Sequence, residues 1–135
     1  GGSISVEGSG GPVVVATAGG SIRVREAHGY VEAETAGGNV EVELAAVEKG
    51  RDMHCDLETA GGNVRVALPE KMQATVDADI RIDEWSGAQY DIYSDFGLTV
   101  RRDKERWVGA KGEINGGGDL LKLSTENGNI HIEKR

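Results

Sequence analysis

The sequence predicts an all-β fold, a β-solenoid wound in coils of about 18 residues. Three observations predict it. The motif Thr-Ala-Gly-Gly-Asn-Val-x-Val occupies residues 35–42 and again 59–66, with a close relative, Thr-Ala-Gly-Gly-Ser-Ile-Arg-Val, at 17–24. Short runs of alternating apolar and polar residues fill the spaces between the glycine pairs, in phase from unit to unit. No sustained 3.6-residue periodicity supports a helix. A motif at a fixed period marks units that cannot bury their own apolar faces and must stack on their neighbours.

The chain in order gives the period. Gly2 to Gly20 is 18 residues, Gly20 to Gly38 is 18 again, and Gly38 to Gly62 is 24, an insertion assigned to a longer loop at residues 45–50. Stacked, the units form apolar columns: Ile4, Ile22, Val40 and Val64; Val6, Val24, Val42 and Val66; Val13, Val31 and Cys55; Val15, Ala33 and Leu57. Thr17, Thr35 and Thr59 follow at the turn. Arg23, Glu32, Glu34, Glu41, Glu43, Asp56, Glu58 and Arg65 fall at the alternate, outward positions. The glycine pairs suit a repeated corner because glycine reaches positive φ without a Cβ penalty. Ser3, Ser21, Asn39 and Asn63 follow the corners in register, where stacked polar side chains can form a hydrogen-bonded ladder. Thr, Gly and Asn are therefore read as turn residues.

Beyond Pro69, which marks a turn or an edge, Met72, Ala74, Val76, Ala78, Ile80 and Ile82 give the longest alternation in the chain. An irregular, aromatic-containing segment is expected near residues 83–112. It has strand-like pieces at 90–93 and 97–102 and a polar hairpin-like turn near 102–106. Regular units then return: Leu121-x-Leu123-x-Thr125 matches Val31-x-Ala33-x-Thr35, and Asn129-Ile130-His131-Ile132 matches Asn63-Val64-Arg65-Val66. Asn115-Gly116-Gly117-Gly118 is a further glycine corner. Gly62 to Gly128 is 66 residues, room for between three and four coils.

Length and composition bound the rest. The 135 residues are read as one domain, 1–135. With aromatics at 4% and 21 glycines, the core must be aliphatic. A net charge of −8 disfavours nucleic acid, which needs clustered Lys and Arg, and anionic membrane surfaces. One cysteine, Cys55, forms no intramolecular disulfide, and no apolar run approaches the roughly 20 residues of a membrane helix, so no membrane insertion is expected in this segment. The chain starts inside a repeat, so any targeting segment is expected to lie outside it.

Candidate chemistry is sparse. His54-Cys55-Asp56 is superficially metal-like, yet alternation turns Cys55 inward and the other two outward, so Cys55 is read as a small buried hydrophobe. Asp77 and Asp79 share an outer face about 7 Å apart, with Asp83, Glu84, Asp91 and Asp95 not far on. Outer-face acids of this kind could bind Ca²⁺, which needs several oxygens at once, but a solvated strand face explains them as well. No Gly-x-Ser-x-Gly elbow or phosphate loop is present. No catalytic, cofactor-binding or metal residues are assigned. Trp85, Tyr90, Tyr93 and Trp107 are the candidate ligand surface, since Trp and Tyr dominate binding hot spots; their alternative role is padding that covers an end of the solenoid.

Set side by side, Thr-Ala-Gly-Gly-Asn-Val, Asp91-Ile92-Tyr93-Ser94-Asp95-Phe96, Ile114-Asn115-Gly116-Gly117-Gly118 and Thr125-Glu126-Asn127-Gly128-Asn129-Ile130 give the chain a family likeness. It resembles the bacterial β-strand-repeat adhesin-type domain family, a domain of unknown function related to the head domains of autotransporter adhesins. Gly97 departs from the pattern, which has a Pro after the Phe. The resemblance implies a single-stranded parallel β-helix, right-handed by the general rule for parallel crossovers, in an extracytoplasmic setting, periplasm or cell surface. It carries no catalytic residues. The function expected is a non-enzymatic structural or adhesive module of the cell envelope, with a glycan or surface protein as partner and no cofactor. Two alternatives remain. One is a self-associating β-helical scaffold, a homo-oligomer formed by end or edge stacking at the bare strand of residues 3–6. The other is a β-helix enzyme acting on acidic polysaccharide through Asp77 and Asp79.

Overall fold

Alternation of apolar and polar residues at a period of two dictates strands with one dry and one wet face, and strands are what form. The computed structural model describes residues 2–8, 10–45, 53–82, 90–103 and 107–135, with Asp103 described in its backbone alone. Among these residues there is no helix. Thirteen strands run in chain order: β1 (Ile4–Glu7), β2 (Val13–Thr17), β3 (Ile22–Ala27), β4 (Val31–Thr35), β5 (Val40–Leu44), β6 (Cys55–Thr59), β7 (Val64–Leu68), β8 (Ala74–Arg81), β9 (Ile92–Ser94), β10 (Thr99–Asp103), β11 (Trp107–Ile114), β12 (Asp119–Glu126) and β13 (Ile130–Lys134).

They form two sheets. The six-stranded sheet has the order β1-β3-β5-β7-β13-β9 and every pair in it is parallel. The seven-stranded sheet, β2-β4-β6-β12-β8-β11-β10, is parallel as far as β8 and antiparallel across β8–β11 and β11–β10. From β1 to β8 the chain alternates between the sheets, and each of β3 to β7 lies beside the strand two before it.

The predicted columns are the observed registers. Ile4, Ile22, Val40 and Val64 face one another in turn, and the file runs on through Ile130 to Ile92. On the other sheet Val13, Val31, Cys55, Leu121 and Val76 do the same. These files make one core in which Ile22, Leu57, Leu68, Ile80, Leu123 and Ile132 are sealed from solvent. Each fully buried Val, Leu or Ile contributes about 1.5–3 kcal/mol of hydrophobic stabilisation. An aliphatic composition suffices because the sheets repeat a narrow core rather than enclose a wide one.

Two expectations are corrected. The stretch between Gly62 and Gly128 does not insert three or four stacked units between those glycines. Instead β12 and β13 lie directly on β6 and β7, and β8 and β9 lie beyond them. The last segment of the chain thus fills the slot between strands made earlier. The described part of the segment near 83–112 is also regular: β10 and β11 form an antiparallel pair, and β11 pairs with all eight residues of β8. The predicted strand pieces appear as β9 and β10. The loop expected at 45–50 and the turn near 102–106 fall mostly outside the described residues, as do Asp83, Glu84 and Trp85.

The corners work differently from the expectation of positive φ. Among the described glycines only Gly8, Gly116 and Gly117 have positive φ, so the corner at 115–118 meets that expectation and the Gly-Gly pairs do not; the described non-glycine residues with positive φ are Glu26, Asn115 and Asn127. A Cβ on Gly20, Gly38, Gly62 or Gly128, the second glycine of its corner or its equivalent, would overlap the backbone of the neighbouring corner. These glycines are needed because the corners stack in contact. The freed carbonyls accept bonds: Thr35 donates its hydroxyl to Gly20 O at 2.7 Å, Thr59 to Gly38 O at 2.6 Å and Thr125 to Gly62 O at 2.5 Å. That satisfies three threonines buried on the inner face. The polar ladder is side chain to backbone. Asn63 N donates to Asn39 Oδ1, Asn129 N to Asn63 Oδ1 and Asp91 N to Asn129 Oδ1, at 2.8–2.9 Å. Ser3 and Ser21 play the same part at 3.2 Å.

Candidate ligand surface

Outward positions inherit the in-register stacking of the core, so their side chains form files about 4.8 Å apart. On the six-stranded sheet one file reads Ser5, Arg23, Glu41, Arg65, His131, Tyr93. Its charged members are paired, Arg23 within the file and Arg65 to Glu133 outside it. Arg23 Nε bonds Glu41 at 3.1 Å, and Arg65 donates from Nε and Nη2 to Glu133 at 2.9 and 2.7 Å. The bond to Glu133, together with that residue's charge, raises the Arg65 pKa above its ordinary value. At the far end the Tyr93 ring stacks on His131 with centroids 4.8 Å apart and planes 18° apart. Tyr93 remains 51% exposed. Asp91, beside it, is ion-paired to Arg102.

The aromatic residues singled out in the sequence do not share one surface. Tyr90 is half-buried and packs against the core. Tyr93 stands on the outer face of the six-stranded sheet. Trp107 stands on the outer face of the seven-stranded sheet, and its ring lies over Gly109, where a Cβ would clash with it. Trp85 lies outside the described residues. Trp107 is thus a cover for its own strand, whereas Tyr93 presents an open ring beside charged neighbours. Sequence reasoning missed His131 as the partner of Tyr93. The signal was present: Asp91-Ile92-Tyr93 aligns with Asn129-Ile130-His131, and aligned residues stack.

The other candidates are placed as follows. Cys55 is buried, Asp56 is exposed, and His54 stacks on Tyr30 at 4.6 Å and contacts Glu32 at 3.4 Å. Asp77 faces Lys122 on one side and Lys111 on the other. Asp79 faces Ser124, and its pKa is raised, first by burial and then by the Asp77 charge. Among the described residues no three of His, Cys, Asp or Glu gather where an ion could be held. No helix of the described residues is long and apolar enough to cross a membrane. Comparison with family models, with curated proteins and with solved structures finds no match to the chain.

Proposed function

We propose that the chain is a non-enzymatic β-solenoid module of the bacterial cell envelope, extracytoplasmic, whose outer face holds a glycan or a surface protein. The likeness of its corner motifs to the adhesin-type domain family motivates the setting. The in-register corner ladders, continued from Ser3 to Asp91, support the solenoid reading of its two sheets.

The observation that carries the binding role is the Tyr93 platform. Its ring is held flat by His131 and half open to solvent, and Arg65, paired to Glu133, lies on the other side of His131. A braced aromatic ring gives apolar contact at little entropic cost, and charged neighbours supply directional hydrogen bonds. A sugar ring has that combination of an apolar face and a polar rim. Glycan-array binding followed by calorimetry tests the reading. Tyr93→Ala should weaken a hit at least about tenfold, the cost of one hot-spot aromatic, and Trp107→Ala on the opposite sheet should leave it unchanged. A wild-type chain that binds no glycan and captures no surface protein removes the adhesive role.

A further inference from the structure

The corner ladder leaves a set of polar groups that the fold does not use. Asn39, Asn63 and Asn129 stand in register, one per strand, and their carbonyls accept from Ile22 N, Val40 N and Val64 N in turn. Neighbours in the row are therefore about 4.8 Å apart. Each side-chain Oδ1 accepts a backbone N–H of the next corner, from Asn63, Asn129 and Asp91. An amide whose oxygen is taken in this way keeps its NH2 group for another partner. Among the described residues none of the three Nδ2 groups meets an acceptor. Asn39 and Asn63 are exposed and Asn129 is half-buried.

The ladder itself does not need these amides. Ser3 and Ser21 accept the same bond through Oγ, from Ser21 N and Asn39 N at 3.2 Å. A hydroxyl suffices for the corner, and the NH2 row is an addition to it. The backbone beside the row is open as well. Gly37 and Gly61 are exposed and have no positive φ. A Cβ at Gly37 meets nothing within 4 Å, and one at Gly61 meets nothing closer than 3.8 Å. Neither conformation nor space inside the fold asks for glycine there, whereas close approach from outside does. The charges next to the row are already paired: Arg23 with Glu41, Arg65 with Glu133, and Asp91 with Arg102.

We infer that Asn39, Asn63 and Asn129 form a binding edge for a linear, neutral, β-linked glycan that lies across the strands. A row of NH2 donors suits a partner with an oxygen acceptor at every strand. A β-1,4-linked glycan is straight, and each sugar advances by nearly one strand spacing. Successive hydroxyl oxygens then meet successive amides. An α-1,4-linked glycan is helical and leaves that line. An extended peptide has the wrong repeat, since its residues facing the row recur only every 6.8 Å or about that. A polyuronate finds Arg23 and Arg65 already paired, and the net charge of −8 repels it. The edge shares its ligand class with the Tyr93 platform and none of its residues, so either can fail without the other.

The test titrates the 135-residue chain with cellotetraose, maltotetraose and tetragalacturonate and follows side-chain NH2 signals by NMR. Cellotetraose should shift the signals of Asn39, Asn63 and Asn129, and the other two should need at least about tenfold more to do so. Asn39→Ser combined with Asn63→Ser installs the residue that the ladder already uses at Ser3 and Ser21. Thermal melting should not change, while the Asn129 signal should need at least about tenfold more cellotetraose, the loss of two neutral hydrogen bonds. Tyr93→Ala should leave that titration where it was. Amide signals that stay still, that respond alike to all three tetrasaccharides, or that saturate as before in the double variant overturn the inference. Ring signals of Tyr93 that shift while the amides do not also overturn it, and they leave the Tyr93 platform standing.

Discussion

At the scale of single residues, the two glycines of a corner are not equivalent. A Cβ at Gly37 meets nothing within 4 Å, and one at Gly38 runs into the carbonyl of Gly20 and the amide nitrogen of Ser21. Both have ordinary backbone conformations, so space alone separates them. Gly38→Ala should destabilise the protein by about 1–3 kcal/mol, the usual range for overpacking against structure that cannot give way. Gly37→Ala should be neutral or stabilise by up to about 1 kcal/mol, because it trims the unfolded ensemble without strain. Urea titration of the two variants checks this. Equal effects would mean that stacking is not what selects glycine. Elsewhere the strain is real: Glu26 has φ 55°, at the irregularity between Val24 and Ala27 where β3 slips against β5. Arg135 holds that site, bonding Glu26 and Glu43 at 2.7 and 2.9 Å and Leu44 O at 2.7 Å.

At the scale of elements, β8 carries the clearest electrostatic liability. Asp77 and Asp79 alternate with buried Val76, Ala78 and Ile80. Partial burial and the Asp77 charge raise the Asp79 pKa against the opposing influence of Arg81, Lys122 and Ser124. An acid whose folded pKa lies above its unfolded value binds its proton more tightly when folded. Stability therefore falls as pH rises from the unfolded value, about 3.9, through the folded one, and stays lowered above it. Asp79→Asn should raise Tm at pH 7 by about 1–3 °C, a fraction of a kcal/mol in a chain of this size. The gain should vanish near pH 3; a gain that persists there refutes the ionic cause. Elements of this kind were legible in the sequence because a period of two and a shared corner fix both face and register. β3, β5, β7 and β13 follow from Ile22, Val40, Val64 and Ile130, and β4, β6 and β12 from Val31, Cys55 and Leu121. What could not be read was which unit lies beside which. Nothing local tells Ile130 to sit on Val64 rather than several layers beyond it, since every file accepts any aliphatic residue. The Tyr93 platform was half legible for the same reason: the ring was visible in the sequence, and its neighbour depended on where β13 lodged.

At the scale of the molecule, that lodging makes the fold non-local. Asn129 bonds Asn63 across 66 residues, and β9 has β13 as its sole strand partner among the described residues. The last strand of the chain lies between β7 and β9, so folding should be slow for the chain's size, as non-local pairing is. A chain ending at Glu126 should leave Ile92 to Ser94 unprotected in hydrogen exchange and lose a single cooperative melt, while β2, β4 and β6 keep slow amides. Full protection of β9 in that truncated chain would show that β13 does not hold it.

The spacing of the units has a further consequence. Ser21 and Asn39 lie 18 residues apart and Asn39 and Asn63 lie 24 apart, yet Val31 still faces Cys55 and Val40 still faces Val64. Length added between Leu44 and Met53 is absorbed without disturbing the strands that flank it. A foreign epitope grafted there would be displayed from a scaffold whose register its own size cannot alter.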